Sequence, residues 1–247
     1  TREAGVRELE RTLNKVLRKA AREIAEKIEK NKKQFKIRVT PKSLKKFLGP
    51  EQYDVTLTDE KDVVGQATGL AWTSVGGDVL FIEAALIPGK GRVKLTGKLG
   101  DVMKESAEAA LTYVKANAKS LGIDQEKLTE TDVHIHVPEG AVPKDGPSAG
   151  VTMTTAIVSA FTGIAVRRDV AMTGEVTLRG KVLRIGGLKE KSIAAQRAGS
   201  KIVLIPKDNE RDLVEIPESV KKTITFLPMA TVNQVLEKAL VRKPKSK

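Results

Sequence analysis

Apolar residues in the first part of the chain, from Val6 through Leu9, Leu13, Val16, Leu17, Ala20, Ile24 and Ile28, recur every three or four places with charges between them. That spacing predicts an amphipathic helix of about eight turns whose apolar stripe must pack on something. A short extended piece at Lys36–Val39 follows, and Pro41 opens a turn of helix that closes at Gly49-Pro50, a unit too thin for a core of its own. After Tyr53 the pattern changes to short β-rich runs with glycine punctuation, among them Gly65–Trp72 and Asp78–Leu86, which read as strands joined by tight turns.

Asp101–Leu121 returns to helical spacing, with Gly122 as its left-handed stop. Asp132–Val137 alternates as a strand, 138–147 is a loop, and 148–161 is a helix apolar nearly all round, hence buried. Strands near 170–173 and 201–205 flank a helix at 188–198 closed by Gly199. A strand around 223–227 and a helix capped by Thr231 end the pattern. The fold class is α+β. The expected units are a helical segment at 1–50, a main domain at 55–240 and a basic tail at 241–247.

Composition narrows the chemistry. No cysteine occurs among 247 residues, which removes disulfides, thiolate nucleophiles and zinc–thiolate sites together. No run approaches the roughly 20 apolar residues that span a bilayer, and the N-terminus has no signal pattern, so a cytoplasmic protein without membrane contact is expected. The net charge of +13 is unevenly placed. Residues 1–50 hold 16 Lys and Arg against 6 Asp and Glu, the tail holds 4 against none, and 51–240 holds 24 against 25. The basic prefix suits DNA, and equally suits solvated helix faces and a surface for docking a partner.

In Pro143-Lys144-Asp145-Gly146-Pro147-Ser148-Ala149-Gly150 a turn rich in Gly and Pro delivers one serine to the first turn of a buried helix. Unpaired amides and partial positive charge at a helix N-terminus suit an oxyanion formed after attack by Ser148, with the amides of Ser148 and Ala149 as its donors. A helix cap fits the same residues. Two bases are available to such a serine. His134 and His136 share one face of a strand, which leaves a Ser-His arrangement open and makes a poor zinc site for want of a third ligand. Lys191 follows a second glycine turn, Gly186-Gly187-Leu188-Lys189-Glu190-Lys191. A lysine serves as base only when neutral, and burial supplies the needed shift of about 3 units; exposed cations on a helix are the alternative for Lys189 and Lys191. Gly174–Lys181 is no P-loop, having five residues between its glycines and no Ser or Thr after Lys181, and Gly89-Lys90-Gly91 lacks a dinucleotide turn's third glycine.

Together PKDGPSAG at 143–150, TGEVTLRGKVLRIGGLKEK at 173–191 and KIVLIPK at 201–207 closely resemble the Lon family of ATP-dependent serine proteases, over about 55–240. TREAGVRELERTLN at 1–14 looks like the final helical part of that family's AAA+ module. The resemblance implies a fold like that of the ribosomal protein S5 domain 2 and a Ser148–Lys191 dyad working through an acyl-enzyme. It puts Thr173 beside the lysine amine, Asp145 and Glu175 at supporting polar positions, Trp72 and Glu83 on the substrate groove, and Arg7 at the sensor arginine of the ATP site. It implies unfolded or damaged polypeptides as substrates and a hexameric ring, with ATP and Mg serving the full-length family. No nucleotide-binding half is found in this sequence, so no ATPase activity and no cofactor are expected of it. The competing reading is a basic module that binds nucleic acid or nucleates a ring, its site silent in isolation.

Overall fold

The computed structural model describes residues 3, 5–31, 34–51, 61–138 and 144–244. Tyr53 and Pro143 lie outside them. The chain divides into two compact units, Thr1–Val55 and Thr56–Lys247.

In the first unit α1 runs over Arg7–Asn31, and a 3-10 turn at Pro41–Ser43 leads into α2, Leu44–Leu48. Only part of the α1 stripe finds cover: Val16 and Ala20 pack on Phe47, with Ile37 and Leu48 beside them, whereas Val6, Leu9, Leu13 and Leu17 are exposed. The Lys19 ammonium donates to the Phe47 carbonyl at 2.7 Å, and Glu23 pairs with both Lys27 and Lys46, so some of the basic excess is neutralised locally. Lys36–Val39 joins no strand.

The second unit is built on strands β1 (Gln66–Thr73), β2 (Gly76–Pro88), β3 (Val93–Thr96), β4 (Thr131–His136), β5 (Val170–Met172), β8 (Ile202–Pro206) and β9 (Thr225–Met229), in the order β3-β4-β2-β1-β5-β8-β9. Antiparallel pairing is confined to β1–β2 and β2–β4; the other neighbours are parallel. A small hairpin, β6 (Glu175–Val176) with β7 (Val182–Leu183), stands apart. The helices are α3 (Asp101–Ala116), α4 (Gln125–Glu130), α5 (Gly150–Thr162), α6 (Leu188–Ala198), α7 (Glu218–Lys221) and α8 (Val232–Ala239).

Strand alternation splits the core between two faces. Ala67, Ile82, Met172 and Leu204 pack with α3, α5 and α8, while Leu70, Val79, Ala171, Val203 and Ile205 pack with α6 and α7. Helices therefore cover both faces, α5 on one and α6 on the other, and the chain segments that carry them meet at the carboxyl end of β5. That is where open sheets with parallel strands leave a crevice. The α+β expectation agrees with this mixed sheet.

Element boundaries differ from the sequence reading where side chains compete for the backbone. The helix expected over 101–121 ends at Ala116. Asn117 donates from its side-chain amide to the Tyr113 carbonyl at 2.9 Å and Ser120 to the Asn117 carbonyl at 2.8 Å, which unwinds the last turn before Gly122 closes it with φ +68°. The 148–161 helix begins as a 3-10 turn at Pro147–Ala149 and is α-helical only from Gly150. Strand β3, α4, the β6–β7 hairpin and the long 3-10 segment Lys207–Glu215 were not foreseen. That last segment is pinned by Asn209, fully buried, whose side chain both accepts from the Ile185 amide at 3.0 Å and donates to the Ile185 carbonyl at 2.9 Å.

Candidate active site

Ser148 is held by backbone on both sides of the crevice. The Thr173-Gly174 peptide leaves the end of β5 and lies across the start of α5, where the Gly174 amide donates to the Ser148 carbonyl at 2.8 Å and the Gly174 carbonyl accepts from the Val151 amide at 3.0 Å. This approach needs glycine twice. A Cβ on Gly150 would stand 2.9 Å from the Val176 nitrogen, and one on Gly174 would stand 2.7 Å from Val182 Cγ1. The preceding loop is fastened to α3: the Gly100 amide donates to the Lys144 carbonyl at 2.7 Å, and Asp145 Oδ1 accepts from the Met103 amide at 3.0 Å and the Gly146 amide at 2.9 Å. Asp145 thus caps α3 and braces the turn that presents Ser148. The Gly150 and Val151 amides are already used by the Pro147 and Gly174 carbonyls, leaving those of Ser148 and Ala149 as the donors nearest the nucleophile.

Lys191 projects from α6. It is 2 % exposed, and Thr173 beside it is 1 % exposed. The Lys191 ammonium donates to Thr173 Oγ1 at 3.1 Å, and Thr173 Oγ1 in turn lies 3.4 Å from the Ser148 carbonyl. Among the described residues no carboxylate pairs with the lysine. Burial, with nothing to offset it, pulls the amine down from 10.5 to about 8. Among the described residues, no hydrogen bond reaches the Ser148 hydroxyl, which is half-buried.

The histidines have another occupation. Thr96 Oγ1 lies 2.9 Å from His134 Nε2 and 2.7 Å from His136 Nδ1, so both rings are engaged across the β3–β4 pair. Lys189 is exposed, as the alternative reading of its helix position expects, but Lys191 is not. Glu175 sits half-buried on β6 and makes no side-chain hydrogen bond among the described residues, and Glu83 is exposed on β2 opposite His136. Trp72 is 61 % exposed, its ring lying against Gly187 at the start of α6. Arg7 is exposed on α1, in the other unit. Among the described residues there is no group of three or more His, Cys, Asp or Glu placed to hold a metal ion, and no helix long and apolar enough to cross a membrane. A charged cavity of about 470 Å³ lined by Arg184, Lys207, Asp208, Glu210 and Arg211 contains none of the residues expected at the site.

Ser148, on the 3-10 turn that leads into α5, and the buried Lys191 of α6 are thus linked through Thr173, whose hydroxyl oxygen lies 3.1 Å from the lysine amine and 3.4 Å from the Ser148 carbonyl. The family comparison decides the matter: residues 38–242 match the Lon protease (S16) C-terminal proteolytic domain, and residues 1–35 match the Lon protease AAA+ ATPase lid domain. The chain belongs to the Lon protease family. It is 58 % identical to a Lon protease of Azospirillum brasilense, over 98 % of this chain and 30 % of that protein. It is 55 % identical to Lon protease 1 of Bacillus subtilis, over 99 % of this chain and 31 % of that protein. A Lon protease of Chloroflexus aggregans is 54 % identical, over 99 % of this chain and 30 % of its own length. The chain thus spans about 30 % of the length of the relatives it matches. Within the Lon domain, sequence reasoning missed the residues that bring its elements together. Gly150 and Gly174 lie inside motifs that were read for other reasons, and Gly77, which touches α6, was read only as part of a turn.

Proposed function

We propose that this Lon-family chain is a serine endopeptidase in which Ser148 is the nucleophile and Lys191 its general base. The observation that carries the reading is the Lys191 amine, buried, pulled by burial down to about 8 and one hydroxyl away from the turn that bears Ser148. Neutral Lys191 takes the Ser148 proton as the hydroxyl attacks the scissile carbonyl, and the amides of Ser148 and Ala149 receive the oxyanion at the positive end of α5. The ammonium so formed protonates the leaving amine. Water then hydrolyses the acyl-enzyme with the same lysine as base. Thr173 orients the amine, Asp145 holds the loop with Glu175 as a further supporting polar residue, and Trp72 and Glu83 line the groove from which a polypeptide enters.

The substrates proposed are unfolded or damaged polypeptides in the cytoplasm, cleaved within a ring of such chains. ATP and Mg serve the longer family proteins through residues other than those of the site, and no step here uses them.

The test is hydrolysis of casein without nucleotide by the wild type, Ser148→Ala and Lys191→Ala, with folding checked by circular dichroism. Cleavage is lost in both variants. Turnover surviving in folded Lys191→Ala would remove the lysine from its role and return attention to His136. With an amine at about 8, wild-type activity rises about tenfold from pH 7 to a plateau above pH 9.

A further inference from the structure

The first turns of α6, which carry Lys191, are covered from outside their own helix. Strands β1 and β2 form a tight hairpin in which Trp72 is the cross-strand partner of Gly77. Both members of that pair rest on the beginning of α6. The Trp72 ring covers Gly187, where an added Cβ would stand 2.8 Å from the indole Cγ. Gly77 lies directly on the Glu190–Lys191 peptide: a Cβ on Gly77 would overlap the Glu190 carbonyl and come within 2.9 Å of the Lys191 nitrogen. Arg197, two turns further along α6, donates from Nη2 to the Gly77 carbonyl at 3.0 Å and ties the hairpin down. Unlike Gly76, whose φ is +119°, Gly77 has no left-handed backbone. What the second glycine supplies is absence of volume.

We propose that Gly77 is a positioning residue of the site: its missing side chain lets the β1–β2 hairpin close over the first turns of α6 and keep water from the Lys191 amine. The proposal rests on the reading of Lys191 as the base. Titratable groups flank this contact at Asp78 on β2 and at Glu190 on α6, and β1 and β5 carry none. The amine's hydrogen bond runs to Thr173 and its shift comes from burial, so lifting the roof acts through water. Any larger residue at 77 pushes the hairpin off the helix, because the obstacle is backbone and cannot swing aside.

The experiment is a direct titration of the Lys191 amine by carbon-13 NMR in protein labelled at the lysine Cε, with Ser148→Ala present to prevent self-cleavage and Lys191→Met used for assignment. The amine titrates at about 8 with Gly77 in place and at least about one unit higher in Gly77→Ala. An unchanged midpoint in folded Gly77→Ala overturns the proposal. Because no turnover is needed, that failure is separate from a failure of the peptidase reading. In the active chain, the low-pH limb of kcat/KM for casein moves upward by the same amount in Gly77→Ala, a loss of about tenfold per unit at pH 7 that is recovered at high pH. A uniform loss at every pH, with no movement of the limb, also counts against it. If Gly77→Ala does not fold, Arg197→Ala removes the tie without adding volume. It raises the midpoint by a smaller amount, and no rise there overturns the proposal.

Discussion

A lysine buried as Lys191 is burdens the folded state at neutral pH, and the size of that burden follows from the titration. In the unfolded chain Lys191 binds its proton with the ordinary value of 10.5, and in the folded chain burial lowers this to about 8. Between those two values the unfolded state holds a proton that the folded state has released, so stability rises with pH through that window. Below about pH 8 both states are protonated, and the folded state carries a charge inside the protein. One unit is about 1.4 kcal/mol, so the cost at pH 7 is about 3 kcal/mol. Replacing the lysine by methionine, similar in length and apolar, removes it. Lys191→Met therefore abolishes cleavage and yet stabilises the protein by about 2 to 3 kcal/mol at pH 7, after allowing about 1 kcal/mol for the lost bond to Thr173. The gain shrinks steadily from pH 8, passes through zero near pH 10, and gives way to a loss of about 1 kcal/mol, that of the Thr173 bond, where the amine is neutral in both states. Urea unfolding of both proteins at pH 7, 9 and 10.5, compared as differences so that titrations elsewhere cancel, measures this directly. A variant no more stable than wild type at pH 7, or a gain that does not depend on pH, would refute the account of why the amine titrates low.

Two further outcomes test the surroundings of the site. Asp145→Ala removes the acceptor shared by the Met103 and Gly146 amides; it costs about 1 kcal/mol in urea unfolding and lowers kcat, while Asp145→Asn, which keeps Oδ1, recovers most of both. Thr152 is fully buried on α5 and its hydroxyl finds no hydrogen-bond partner among the described residues, so Thr152→Val leaves cleavage unchanged and raises stability by up to about 1 kcal/mol; a clear loss of stability would mean that the hydroxyl is bonded after all.

Much of the fold was legible because the elements that carry it are periodic and capped. The α6 boundaries, Leu188–Ala198, and the Thr231 cap of α8 were readable from glycine and threonine alone. Where the reading slipped, as at the end of α3, a local side chain took a carbonyl that periodicity assigns to the helix. The short β3 and the β6–β7 hairpin escaped because strands of two to four residues hold too few alternations to register.

The residues proposed for the site are marked in the sequence in a different way. Position on a helix gives Lys191 no distinction from Lys189, two residues earlier, which is exposed. What separates them is which face of α6 meets the sheet, and that is decided by β1 and β2, more than 100 residues away in sequence. The Gly76-Gly77 pair reads as a turn, and only the antiparallel register, which sets Gly77 opposite Trp72 and both on α6, turns one of these glycines into part of the lysine's environment. A family motif supplies the answer without the reason. On the function proposed above, a general base made from lysine is a property of its covering, and Gly77 and Trp72, which rest on α6, enter the site's function without doing chemistry.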